Sequence, residues 1–236
     1  MKEKKFNVKK LISVLIILLL IPLTIWFGFK YADRHYYVVS LIIIVLTMVP
    51  FFLAFENRKP QARELVIIAV MCAIAVVSRA AFIAIPGFKP MTAIIILTGI
   101  AFGAEAGFMT GAITAFVSNF IFSQGPWTPW QMFAYGIAGF LSGILYKHEF
   151  ISTKRLSLSI YGAAVVLIII GPLLDTSSVF TMMTEVTSEG VIAVFLAGLP
   201  INAVHAAATF LTLLLLSKFI LEKLQRIKVK YGILEA

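Results

Sequence analysis

Apolar residues in this chain do not alternate with polar ones; they gather into runs of about twenty, the length an α-helix needs to cross roughly 30 Å of hydrocarbon at 1.5 Å per residue. The runs fall at 11–29, 36–55, 64–85, 91–103, 106–122, 129–146, 157–174 and 200–222, with a shorter apolar piece at 190–198. This pattern predicts eight membrane-spanning helices, and the ten-residue alternation of a membrane β-barrel is absent. The fourth run is short, which suits a helix that meets a pocket better than one facing bulk lipid. One interruption stands out. Residues 122–131 read FSQGPWTPWQ, two Trp, two Pro and two Gln in a chain otherwise made of aliphatic runs. Irregular backbone at that depth must line a cavity or the water boundary, because unpaired amides in hydrocarbon cost several kcal/mol each.

Composition agrees with the pattern: 61% of residues are hydrophobic, 13% are charged and the mean hydropathy is +1.00. The fold class is therefore all-α, a polytopic membrane protein. The first run follows a basic segment, MKEKKFNVKK, as a signal peptide would. Its apolar stretch is too long and no small-residue cleavage site follows, so it is read as retained. Charge then fixes a topology. With eight spans, sixteen of the twenty Lys and Arg lie on the side of the two termini, whereas the opposite loops hold only Lys30, Arg34 and Lys89. The positive-inside rule places both termini in the cytoplasm and accounts for the +9 net charge without nucleic acid. The loops at 86–90, 122–130 and 173–199 then face outward, with their Trp, Pro, Asp and Glu.

The polar linker ENRKPQAR at 56–63 divides the chain into an N-terminal two-helix hairpin, residues 1–62, and a six-helix domain with a basic tail, residues 63–236. The hairpin carries no polar group deep in either span and reads as lipid-facing structure. The six-helix part differs: Gly99, Gly103, Gly107 and Gly111 recur every four residues, and Gly139 with Gly143 repeats the spacing. Small residues on one helix face let membrane helices approach closely, so tight packing is the expected role.

Candidate binding residues concentrate near the outward side. Arg79 sits inside a span, where an arginine costs about 2.5 to 3.5 kcal/mol and marks a functional site unless it snorkels to the interface. Lys89, pinned between Pro86 and Pro90, either binds an anionic group or anchors a helix end. Trp127 and Trp130 offer flat faces for ring stacking, or belt anchors at the membrane boundary. Asn119, Gln124, Gln131 and Tyr135 supply uncharged hydrogen-bonding groups at the same depth. Asp175 ends the seventh span, and Asn202 and His205 fall in the first turns of a last helix expected to start at Pro200. His205 also fits a hydrogen-bonded structural histidine.

Other chemistries find little support. Ser118, His205 and Asp175 are the residue types of a hydrolytic triad, but no G-x-S-x-G surrounds the serine. H-E-x-x-H, intramembrane carboxylate pairs and a P-loop are missing. Cys72 is the single cysteine, so no intrachain disulfide or cysteine metal cluster is expected; it reads as a small buried hydrophobe. Neither a cofactor nor a metal is expected, and the chain is not read as an enzyme. A self-sufficient secondary transporter or channel for a small polar metabolite remains the competing reading.

The six-helix part, roughly residues 63–224, resembles the substrate-binding S component of an energy-coupling factor (ECF) vitamin transporter. The likeness rests on Ala69-x-x-x-Ala73, the R-x-x-F element at Arg79 and Phe82, the FKP turn, the glycine-spaced helices, G-P-W-T-P-W-Q-M, and G-L-P-I-N-A-V-H opening the last helix. The resemblance implies that the chain captures a vitamin from outside and docks through Ala69 and Ala73 onto a membrane coupling protein bearing two cytoplasmic ATPases. It then reorients to release the vitamin inside. Arg79, Lys89, Trp127, Gln131, Asp175, Asn202 and His205 are the expected pocket residues. Among S components the Trp-Pro segment looks most like cobalamin-type members. The hairpin departs from the family's six-helix form and would obstruct reorientation if it lay on the docking face.

Overall fold

The computed structural model describes residues 8–24, 26, 36–57 and 61–232. Lys30 and Arg34, counted above for the topology, lie outside them. Among the described residues there is no strand. The helices are α1 (Val8–Leu15, continued by a π turn at Ile16–Leu20), α2 (Tyr36–Asn57), α3 (Ala62–Ala81), α4 (Met91–Phe102), α5 (Ala104–Phe122), α6 (Trp127–Lys147), α7 (Arg155–Val165), a π turn at Val166–Ile170 leading into α8 (Gly171–Met182), and α9 (Ser188–Tyr231). The chain is a polytopic all-α membrane protein. Among the described residues, five helices are long and apolar enough to cross a bilayer: those at 38–57, 62–81, 104–122, 155–182 and 188–231.

The short helix α4 is the hub of the bundle. Its residues from Met91 to Gly99 are all buried, and it touches α3, α5, α6, α7 and α9. A helix apolar all round and only 12 residues long is stable where protein surrounds it on every side. Gly103 alone joins α4 to α5, at φ 94°, a left-handed angle that glycine adopts without a Cβ clash.

The glycine repeat does what its spacing predicts. A Cβ on Gly99 or Gly107 would run into the backbone of Gly139, one on Gly111 into Tyr135, and one on Gly143 into Ala104. Helices α4, α5 and α6 therefore meet backbone to backbone, gaining dispersion contacts that lipid tails cannot match. The hairpin attaches differently. Phe51 of α2 stacks on Phe108 at 4.3 Å between ring centroids and meets Phe140 edge-on at 4.9 Å. Helix α2 lies along α5, α6 and α8, and Lys9 of α1 pairs with Glu56 at 2.6 Å.

Three expectations are corrected. Pro200 does not start the last helix: α9 begins at Ser188, where the Thr187 side chain accepts from Gly190 N at 3.2 Å, and Pro200 lies inside it. The apolar piece at 190–198 is thus the first part of α9, and Asn202 and His205 lie several turns in. The expected loop at 173–199 shrinks to 183–187, because α8 continues to Met182. The irregular stretch at 122–131 is only 123–126, with Pro126 capping α6 at Trp127; proline's missing N–H falls where a helix start leaves donors unpaired.

Candidate polar site at the tryptophan end

The ends of α3, α5 and α8 and the starts of α4, α6 and α9 gather at one end of the bundle, with the connections 82–90, 123–126 and 183–187. This is the tryptophan end, and its buried polar side chains form three groups.

The first group is built on Arg79, in the last turn of α3 and only 7% exposed. Its Nη1 donates to Ser118 Oγ and, at 3.0 Å, to Asn119 Oδ1, while the guanidinium lies 4.2 Å from the Phe122 ring centroid. Asn119 Nδ2 passes the network on, donating to Thr128 Oγ1 at 3.0 Å and Gln131 Oε1 at 2.9 Å. Thr128 in turn donates to Gln124 and accepts from Gly125 N. A cation held by neutral dipoles and an aromatic face keeps its charge within low dielectric, so Arg79 does not snorkel. Its Nε and the Nε1 of buried Trp130 have no hydrogen-bond partner.

The second group centres on His205, which is 1% exposed. Its Nε2 lies 2.7 Å from Thr92 Oγ1, and its ring centroid is 6.0 Å from that of Tyr135. The connection 82–90 folds over α9 here, with Gly87 at φ 79° packed against Ile201 and Val204. Lys89 in that connection is half-buried.

The third group is Asp175 and Asn202, joined by a hydrogen bond from Asn202 Nδ2 to Asp175 Oδ2 at 2.9 Å. They line a cavity of about 360 Å³ between α8 and the first half of α9. Val191, Phe195, Leu199 and Asn202 bring one face of α9 to it, and Leu167 and Pro172 form the facing wall. Asn202 is 9% exposed and packs against Gly171, so it separates this cavity from the His205 group.

Of the residues expected to form one pocket, the structure unites Arg79, Asn119, Gln124 and Gln131 in one network, Tyr135 with His205, and Asp175 with Asn202. Trp130 is buried against Phe180, with centroids 6.0 Å apart, whereas Trp127 is 39% exposed and donates to Ser123 O at 3.4 Å. The two indoles therefore do not face each other as a stacking pair. The triad is absent as well: Ser118 is engaged by Arg79, His205 by Thr92 and Asp175 by Asn202. Sequence reasoning overlooked Thr92 and Thr128. The signal for Thr128 was its place three residues after Gly125, where a helix-start hydroxyl takes up free backbone N–H groups.

At the other, basic end, Lys228 Nζ reaches Ala101 O at 3.4 Å, fastening the end of α9 over α4. On the outside of the bundle, α3 exposes Val66, Ala69, Val70, Ala73, Ile74 and Val77. Cys72 points inward, buried, with its Sγ 3.6 Å from Thr110 O. No group of His, Cys, Asp and Glu suited to a metal occurs among the described residues.

A multi-pass helical bundle with a buried polar end and, among the described residues, no assembled catalytic constellation has the features of a membrane-embedded binding subunit. The family described as ECF-type riboflavin transporter, S component, matches residues 59–222. The chain belongs to that family, and it is a substrate-binding subunit of an ECF transporter rather than an enzyme. The match begins just after α2, so the hairpin lies outside it. No curated protein and no solved structure matches the chain.

Proposed function

We propose that this subunit captures riboflavin, or a closely related flavin, at its tryptophan end and delivers it for uptake driven by ATP hydrolysis in partner subunits. The observation that carries the reading is the coincidence of the family match with a cleft of fitting size and chemistry. A cavity of about 360 Å³ sits at the low end of the roughly 300 to 1,000 Å³ typical of small-molecule sites. That suits a flavin whose fused three-ring system lies against Phe195 and Leu199 and whose polyhydroxyl chain reaches Asp175 and Asn202. The Arg79 and His205 groups lie at the same end of the bundle, outside the lining of this cavity.

Cobalamin, the ligand the Trp-Pro segment favours, is less well supported. A corrinoid has several times the atoms of a flavin, and Trp130, one of the two rings on which that expectation stood, is already packed against Phe180. The sixteen basic residues on the side of the termini support an outward-facing tryptophan end in a bacterial cytoplasmic membrane. Docking of the coupling protein on α3 through Ala69 and Ala73 is supported by the open face there and by the place of α2, which packs on α5, α6 and α8 and leaves that face clear.

The test is an equilibrium titration of the purified full-length chain against a vitamin panel containing riboflavin and cobalamin. Saturable 1:1 riboflavin binding is expected. Binding of cobalamin alone would reassign the ligand, and gradient-driven uptake by proteoliposomes holding only this chain would favour a self-sufficient transporter instead.

A further inference from the structure

The cleft between α8 and α9 carries a single formal charge. Asp175 is the one ionisable side chain on its wall, and neither Arg79 nor Lys89 contributes to the lining. The carboxylate is also fixed in place. Oδ2 accepts from Asn202 Nδ2 at 2.9 Å, and Oδ1 lies against Gly198, where the two helices come so close that a Cβ on the glycine would overlap it. Arg79, the buried arginine of the bundle, is committed to Ser118 and Asn119. The remaining walls are aliphatic or aromatic, so a charge placed here is weakly screened compared with one on an open surface.

We propose that Asp175 makes this cleft a charge filter, admitting an uncharged vitamin and rejecting the phosphate monoester of the same vitamin. The inference rests on the riboflavin reading and adds to it the form of the substrate. A phosphate monoester carries a charge of about −1.5 to −2 at neutral pH, and at effective dielectrics near 20 its repulsion by a carboxylate a few ångströms away lowers affinity on the order of tenfold or more. An uncharged ribityl hydroxyl meets the opposite situation, because the carboxylate accepts its hydrogen bond. The filter also fixes a place in a reaction sequence. A phosphorylated form met outside must first pass through a phosphatase-class hydrolysis, in which water cleaves the P–O bond and inorganic phosphate leaves, before this subunit takes the product.

The experiment titrates the full-length purified chain with riboflavin and with riboflavin 5′-phosphate at one ionic strength, reading the quenching of flavin fluorescence. The native chain should prefer riboflavin by about tenfold or more. Asp175→Asn, which keeps the size and the capacity to bond Asn202, should narrow the preference to about threefold or less, mainly by tightening the ester. Asp175→Glu and Glu189→Gln should keep it, the second because Glu189 is exposed at the start of α9 and acts only through the general field. A preference that survives intact in Asp175→Asn, or a native chain with none, overturns the filter and leaves the riboflavin reading standing. A native chain that binds neither flavin overturns the riboflavin reading itself, and the filter with it.

Discussion

The N-terminal helices α1 and α2 and the bundle that follows them are both apolar, yet they are held by different means. In the core, α4, α5 and α6 approach until glycine backbones touch, and polar side chains are buried at one end in closed hydrogen-bond groups. The hairpin leans on the core through rings: Phe51 and Phe52 on Phe108, with Met48 and Phe55 buried beside them. Backbone contact tolerates no added atom, whereas ring contact in a bilayer can be replaced in part by lipid, because no hydrophobic force separates protein from acyl chains. The glycine contacts lie within the part that matches the family, residues 59–222, and the ring contacts join α2 to it from outside.

Substitutions can break or sharpen this contrast. The largest effect is expected for Gly107→Val. The new side chain has only the Gly139 backbone to displace, and overpacking of this kind typically costs about 1 to 3 kcal/mol or more. The variant should lose most of its folded yield and all ligand binding, read by size-exclusion profile and titration. Phe51→Ala in the hairpin should lower the melting temperature but leave the riboflavin dissociation constant within about threefold, since lipid fills the vacated site. If both variants lose binding equally, the hairpin belongs to the functional unit.

Next in size is Arg79→Met. It leaves Ser118 and Asn119 short of a donor, and unsatisfied buried groups cost about 1 to 3 kcal/mol each. A reduced melting temperature and weakened binding are expected, with Arg79→Lys recovering part of both. Thr92→Val removes one hydrogen bond from His205 and should cost about 1 kcal/mol, visible as a small loss of thermal stability. The smallest effect belongs to Glu56→Gln. The Lys9–Glu56 pair is partly exposed, 33% and 66% by side chain, and such pairs contribute about 0 to 1 kcal/mol.

The parts legible in the sequence are those with a strong local signature. Glycines four apart marked the α4, α5 and α6 contacts, and an arginine within a span marked a buried polar network. The shortness of α4 suggested a helix at a pocket or in a thinned membrane, whereas the structure surrounds it with other helices. What escaped was set by long-range structure. Pro200 reads as a helix start, but Thr187 starts α9 earlier and the helix carries the proline within it, as membrane helices tolerate when neighbours satisfy the freed backbone. The partition of the polar residues into three groups was equally hidden. Spacing places Asn119, Asp175 and His205 at one depth but does not say that Asp175 turns to Asn202 and His205 to Thr92. The two tryptophans, alike in sequence, part company because one helix start turns Trp130 inward against Phe180 and leaves Trp127 outward.

The central claim, outward capture at the tryptophan end, is tested most directly by sided membrane vesicles prepared from cells expressing the chain without coupling subunits. Right-side-out vesicles should bind radiolabelled riboflavin saturably without ATP, and inside-out vesicles should bind little until detergent opens them. Equal or greater binding by intact inside-out vesicles would contradict the account, because the polar groups around Arg79, His205 and Asp175 would then face the cytoplasm.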